Sequence, residues 1–221
     1  MDLTAPDLSR RAFLMGAGSI AALTLAGCAT TGNRVPEEQR FSDHYLQMYA
    51  ALPFEKFPVP AVDLRLLKPT HFRTEVADPT GERPGTIVVS TAERYLYLVQ
   101  ENGRAIRYGV GIGRDGFTWS GRGDIARKAE WPTWTPPAEM IKRQPEIEPY
   151  RNGMPGGLGN PLGARALYIY KNGRDTIYRL HGTSDAHTIG EAVSSGCVRL
   201  LNQDIIDLYA RVPRGAPILV M

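Results

Sequence analysis

Two Asn-Gly pairs do most to limit what this chain can become. Asn102-Gly103 lies between RYLYLVQ (94–100) and RAIRYGVGIG (104–113), and Asn172-Gly173 lies between ALYIYK (166–171) and DTIYRLHG (175–182). The flanking runs carry the β-branched and aromatic residues of strands, and Asn-Gly supplies the two left-handed backbone positions that a tight hairpin turn requires. TIVVST (86–91) reads as a further strand ahead of the first hairpin and APILVM (216–221) as a closing one. Asn202 is placed to cap a helix with Asp204 in its first turn and Ile205, Ile206, Leu208 and Tyr209 on its buried side. The expectation is a mainly β domain, sandwich or barrel-like, with one late helix.

Ahead of the strands the composition shifts. EEQRFSDHYLQMYAAL (37–52) sets Phe41, Tyr45, Met48, Tyr49 and Leu52 at helical spacing, which predicts an amphipathic helix packed on the main domain. Residues 53–85 contain Pro53, Pro58, Pro60, Pro69, Pro79 and Pro84, a density that forbids long helices and reads as an extended strap with short strand pieces. The main domain is expected over residues 81–221, with 37–80 as a helical and Pro-rich extension. Residues 114–163, between the hairpins, are rich in Gly, Pro and Trp with little periodicity, and so long a connection is expected to be functional or a lid rather than idle. GIGRDG (111–116) spells the dinucleotide fingerprint G-x-G-x-x-G. FTWSGRGD follows it, with no apolar helical stripe to present an N-terminus to a pyrophosphate, so turn glycines at a strand end are the better account.

The amino terminus, MDLTAPDLSRRAFLMGAGSIAALTLAGCATTG, has the layout of an export signal. Arg10 and Arg11 precede an apolar stretch shorter than the roughly 20 residues that a membrane span needs. SRRAFL resembles a twin-arginine signal, and Leu25-Ala26-Gly27-Cys28 resembles a bacterial lipobox, whose cysteine is acylated. These resemblances imply a signal peptide over 1–27, a lipidated Cys28, a tether over 28–36 and a periplasmic or envelope location with a lipid anchor in the membrane. Ala29 lacks the Asp of inner-membrane retention and points to the outer membrane without deciding it. Loss of residues 1–27 removes Arg10, Arg11, Asp2 and Asp7 and leaves the formal net charge at +3. The basic residues are dispersed and no base-reading motif accompanies them, so nucleic acid is not an expected partner.

The chain has two cysteines. With Cys28 taken by lipid, Cys197 is left unpaired in an oxidising compartment, where a thiol is tolerated because it is buried or because it works. Ser194, Ser195 and Gly196 are too small and polar for a core run, which favours a working thiol. His181, at the end of a predicted strand, is the candidate base, and Gly182, Gly190 and Gly196 let the chain fold back so that the two face each other. Thiol catalysis needs such a base, a group to orient it and donors for an oxyanion. Residue chemistry alone leaves two readings open, a Cys-His acyl-transfer site and a structural His with an inert Cys. No metal or cofactor is expected: His181 and His187 have no further His/Cys cluster near them, and His44 and His71 read as surface or packing residues.

At these same residues a family resemblance appears. HGT (181–183), then Gly190, then SSGCVRL (194–200) resembles the L,D-transpeptidase (YkuD-like) signature, His-Gly-Thr followed by Ser-His-Gly-Cys-Ile/Val-Arg-Met/Leu. VGIGRDGFTWSG, KAEWPTWTPPAEMI and NPLGARALYIY are similar to other blocks of that family, so the resemblance covers about residues 84 to 221. It implies a β-rich catalytic domain that acts on peptidoglycan stem peptides. The cysteine attacks the amide between the L-centre of the third stem residue and the D-Ala at position four. D-Ala leaves, and an amine resolves the thioester: a neighbouring stem for a 3-3 cross-link, a D-amino acid for exchange, or an envelope protein lysine for anchoring. The resemblance makes Cys197 the nucleophile, His181 the base, the Gly182 carbonyl its orienting group, and the amides of Gly196 and Cys197 the oxyanion donors. Arg199 holds a substrate carboxylate or braces the loop, and Ser194, Ser195 and Thr183 complete the expected substrate contacts. Ser195 departs from the common motif His, and His187 is the candidate to fill that place. Trp119, Trp131 and Trp134 line a donor groove or pack the core. Two rivals remain: a thiol-dependent hydrolase, in which water resolves the thioester, and a non-catalytic envelope lipoprotein that binds peptidoglycan.

Overall fold

The computed structural model describes residues 41–113, 119–194 and 196–221. The export signal, Cys28, the tether and Ser195 lie outside the described residues. Both Asn-Gly turns form as the sequence requires, with φ of 60° and 67° at Asn102 and Gly103 and 51° and 73° at Asn172 and Gly173. The first joins β3 (Tyr95–Val99) to β4 (Arg104–Gly109), and the second joins β7 (Arg165–Lys171) to β8 (Arg174–Thr183). Around them stand β1 (Thr74–Ala77), β2 (Ile87–Ser90), β6 (Gly121–Glu130), β10 (Val198–Leu201) and β11 (Pro217–Val220). All belong to one sheet in the order β1-β4-β3-β2-β11-β6-β7-β8-β10, while β5 (Ile112–Gly113) and β9 (Ala192–Ser194) make a small second sheet.

The large sheet curls over a single core. Ile87, Val89, Leu96 and Leu98 from one part of it share a buried cluster with Leu167, Ile169, Leu180, Val198 and Leu200 from the other. Burying each such side chain contributes about 1.5–3 kcal/mol. The far edge of β10 is bridged back to the strand end after β4, with Arg199 N–H donating to the Gly111 carbonyl at 2.8 Å and Gly111 N–H returning a bond at 3.0 Å. Helix α3 (Asn202–Arg211), following the short α1 (Asp43–Met48) and α2 (Ala138–Arg143), closes the core with Ile205 and Leu208. The result is the mainly β, barrel-like domain with a late helix that the pattern implies.

Three sequence expectations are corrected. Residues 114–163 are not all lid: β6 is a ten-residue strand between β11 and β7. GRGDIARKAE carries one large aliphatic residue, Ile125, and its neighbours rather than its own pattern make it a strand. Of the GIGRDG run, Ile112 and Gly113 form β5, and residues 114–116 lie outside the described residues. Asn202 does not cap α3; it occupies the first helical position, where its Oδ1 accepts the Ala164 N–H (2.9 Å) and its Nδ2 donates to Ser184 Oγ (3.1 Å). Among the described residues the first helix spans only Asp43–Met48, because Leu52 turns away to pair with Val59.

The strap does not trail from the domain. Tyr49, Leu64, Leu67 and Phe72 form a buried cluster with Ala186 and Ile189, which lie within the segment between His181 and Cys197, and with Leu201 at the end of β10. Tyr49 Oη accepts the Arg73 N–H (2.7 Å) and donates to Asp204 Oδ2 (3.3 Å) at the start of α3. Glu55 forks onto Arg165 (2.7 and 3.0 Å) and accepts the Trp131 indole N–H (3.0 Å), tying the strap to β7 and the long connection.

Candidate active site

Strands β8 and β10 lie side by side in parallel, with Val198 opposite Leu180 and Arg199 opposite His181. Because successive strand side chains alternate, Leu180 and Val198 enter the core and His181 and Arg199 share the other face. Cys197 immediately precedes β10, and the same alternation carries it onto the His181 face. Two residues along the strand and one strand across put the two Cα atoms about 8 Å apart, a gap that two side chains can bridge. The fold-back therefore comes from a parallel strand pair, which Gly196, at φ 130°, helps to reach after β9.

His181 is 4% exposed, and its Nδ1 lies 3.0 Å from the Gly182 carbonyl oxygen. Nδ1–H donates there, which leaves the Nε2 lone pair for another partner. Burial pushes the imidazole pKa down to about 4; the Arg199 charge adds to this and the Gly182 bond opposes it. Cys197 is a half-buried thiol in no disulfide, and its Sγ donates to the Ile177 carbonyl at 3.9 Å. Burial raises its pKa and Asp175 adds to the rise, against the Arg179 backbone N–H and the charges of Arg179 and Arg199. A neutral imidazole and a neutral thiol thus share one strand face, with guanidinium groups at hand for an anion that forms there.

Of the other sequence-selected residues, Thr183 Oγ1 accepts the Asp185 N–H (3.1 Å) and lines a cavity of about 200 Å³ with Val59, Asp63, Leu66 and Gln203. Ser194 ends β9, where its backbone pairs with Gly113. His187 is exposed in the turn Ala186–Thr188. Trp119 packs on the main core and meets Tyr178 at 6.0 Å, beside the Cys197 loop. Trp131 packs with Val59 and Ala164, and the Trp134 backbone pairs with Met154. His44 lines a shallow groove with Arg73, Glu75 and Arg104, remote in sequence from the thiol motif. His71 is buried, its ring against Tyr95 (5.5 Å) and lodged between Gly109 and Gly190, where neither glycine has room for a Cβ.

Sequence reasoning missed Arg179 and Ile177. Arg179 forks onto Asp175 (2.6 and 2.8 Å) and lies over the Tyr168 ring at 4.4 Å. Its one signal in the sequence is its place two residues before His181 on a strand, hence on the same face.

The family model for the L,D-transpeptidase catalytic domain matches residues 84–220. The probable L,D-transpeptidase YbiS of Escherichia coli K12 is 39% identical over 142 residues, 62% of this chain and 44% of that protein. The probable L,D-transpeptidase ErfK/SrfK of the same organism is 36% identical over 152 residues, 65% of this chain and 46% of that protein. The chain thus spans less than half the length of these relatives. Among solved structures, one from Brucella melitensis, named a probable carnitine operon oxidoreductase, is 43% identical with a TM-score of 0.50, covering 68% of this chain and 94% of its own. With the family match extending from before β2 to the last residue of β11, this chain belongs to the L,D-transpeptidase catalytic domain family.

Proposed function

We propose that the protein is an L,D-transpeptidase that cleaves a peptidoglycan tetrapeptide stem through a thioester on Cys197. The observation that carries this reading is the His181 Nδ1 bond to the Gly182 carbonyl, with the ring's free nitrogen on the strand face that also bears the thiol. In this mechanism Nε2 takes the Sγ proton as sulfur attacks the carbonyl carbon of the third stem residue. The oxyanion that forms is met by the amides of Gly196 and Cys197. As the C–N bond breaks, the imidazolium returns its proton to the departing D-Ala amine, leaving the acyl group on sulfur. An acceptor amine then attacks the thioester, its proton passes to Nε2, and the thiol is regenerated.

Arg199, paired across from His181, supports a role in holding a stem carboxylate; its charge also helps to keep the imidazole unprotonated. Thr183, Ser194 and Ser195 are proposed as substrate contacts. Cys28 is proposed as a lipidated residue that holds the domain in the periplasm or at the envelope surface, within reach of its polymer. The acceptor is an amine of a neighbouring stem, a D-amino acid or an envelope protein lysine, and access of water to the thioester divides transfer from hydrolysis.

Intact-protein mass spectrometry after mixing with a disaccharide-tetrapeptide tests the reading. The wild type should gain the acyl mass and release D-Ala, Cys197→Ala should do neither, and His181→Ala should acylate about 10²–10⁴-fold more slowly. An adduct on Cys197→Ala, or near wild-type acylation of His181→Ala, would remove that residue from the mechanism. Absence of any adduct on the folded wild type would favour a binding module. Adding an amine then separates transferase from hydrolase by product.

A further inference from the structure

Among the described residues, Ile177 has no conformational or packing reason to be isoleucine. Its φ is +68°, in the left-handed region that a β-branched residue adopts as an outlier, and its side chain is 69% exposed. It sits where β8 bulges: Tyr168 pairs with Arg179 and Tyr170 with Asp175, so the register slips between them. The bulge is held on every side. Asp175 Oδ1 accepts the Ile177 N–H (2.8 Å), Thr176 Oγ1 donates to the Ile169 carbonyl (2.6 Å) and accepts the Tyr178 N–H (3.2 Å), and Arg179 forks onto Asp175. These bonds account for the bulge, and glycine or asparagine would occupy it with less strain. They leave the isoleucine side chain unexplained.

The Ile177 carbonyl is among the groups that face the thiol, 3.9 Å from Cys197 Sγ. From standard bond lengths the Ile177 Cβ then lies within about 7 Å of that sulfur. An acyl chain on sulfur is longer than this, so a stem peptide held there is long enough to reach the exposed side chain. Strained backbone of this kind persists at ligand-binding sites, where surrounding contacts over-determine it.

We propose that Ile177 is a substrate-contacting, specificity-determining residue: the bulge holds its side chain as an apolar lip beside Cys197 that covers the aliphatic part of the donor stem next to the scissile amide. The proposal rests on the transpeptidase reading above for its substrate. Ile177→Gly deletes the lip while relieving the strain, so the full chain should keep or raise its melting temperature. Its KM for the tetrapeptide donor should rise about five- to tenfold with kcat nearly unchanged, the loss of one partly buried aliphatic contact. Alkylation of Cys197 by iodoacetamide, which is too small to span the lip, should keep its wild-type rate. An unchanged donor KM would overturn the proposal. So would an equal loss in both reactions, which marks Ile177 as structural.

A second readout is independent of peptidoglycan. The rate ratio of N-phenylmaleimide to iodoacetamide at Cys197 should fall in Ile177→Gly, and in Ile177→Asn, which tolerates the same backbone. If the wild type takes no acyl group from the tetrapeptide, the transpeptidase reading fails, and this ratio decides the apolar lip by itself: a fall sustains it and no change overturns it.

Discussion

His181 and Cys197 are each held in their uncharged forms by what surrounds them. Burial and the Arg199 charge both disfavour an imidazolium, while burial and Asp175 outweigh the arginines and disfavour a thiolate. The resting site is therefore a thiol and an imidazole, and in the proposed mechanism the proton moves when the substrate arrives. The iodoacetamide alkylation rate of Cys197 should climb with pH through about 8.5 without a plateau between about pH 5 and 8. A plateau in that range would reveal a preformed ion pair and contradict this account. The candidate thiol and imidazole were legible in SGC and HGT because each is a matter of residue type within a short motif, while the carbonyl beside His181 came from the family resemblance. Arg179 and Ile177 were not, because strand register and a bulge bring them to the thiol.

At the scale of elements, the strap is a buttress for the loop that carries the motif. Phe72 meets Tyr45 at 4.7 Å, Tyr49 at 5.8 Å and Phe41 at 5.9 Å, and its cluster includes Ala186 and Ile189. Phe72→Ala should lower stability by about 3–5 kcal/mol in urea denaturation, the cost of a cavity at a buried aromatic. A loss under about 1 kcal/mol would show that the strap adds little to the domain. Proline density rightly predicts an extended strap, but prolines do not say what the strap lies on. The hairpins were legible because their turn chemistry is local. Strand β6 was not, since Gly, Arg, Asp and Lys become strand residues only with β11 and β7 on either side.

Across the whole molecule, two buried groups pull acid stability in opposite directions. His181 titrates at about 4 when folded and near 6.5 when unfolded, so the unfolded chain binds the extra proton between these values and stability falls as pH drops through them. Lowered His71 acts in the same sense. Asp204 is pushed up to about 7, chiefly by burial, with Asp207 adding and Arg73 and Tyr49 opposing. The folded chain then holds the extra proton, and stability falls as pH rises from about 4 to 7. The two effects oppose each other, so the wild-type profile should slope less over this range than that of a variant lacking either group. In Asp204→Asn the His181 and His71 effects stand unopposed by Asp204, and stability should decline steadily below about pH 6.5 in denaturant titrations. A profile for that variant as flat as the wild type would refute the balance.

By itself the sequence determined the hairpin turns and the mainly β class with its late helix, and it singled out Cys197 and His181 as candidates, because these follow from residue type and spacing of a few positions. Tertiary structure alone decided that β10 lies parallel to β8, that the strap packs on the motif loop and that Ile177 faces the thiol. Those contacts join residues far apart in the chain, and strand pairing and burial of shared apolar surface select them only once the whole sheet has closed.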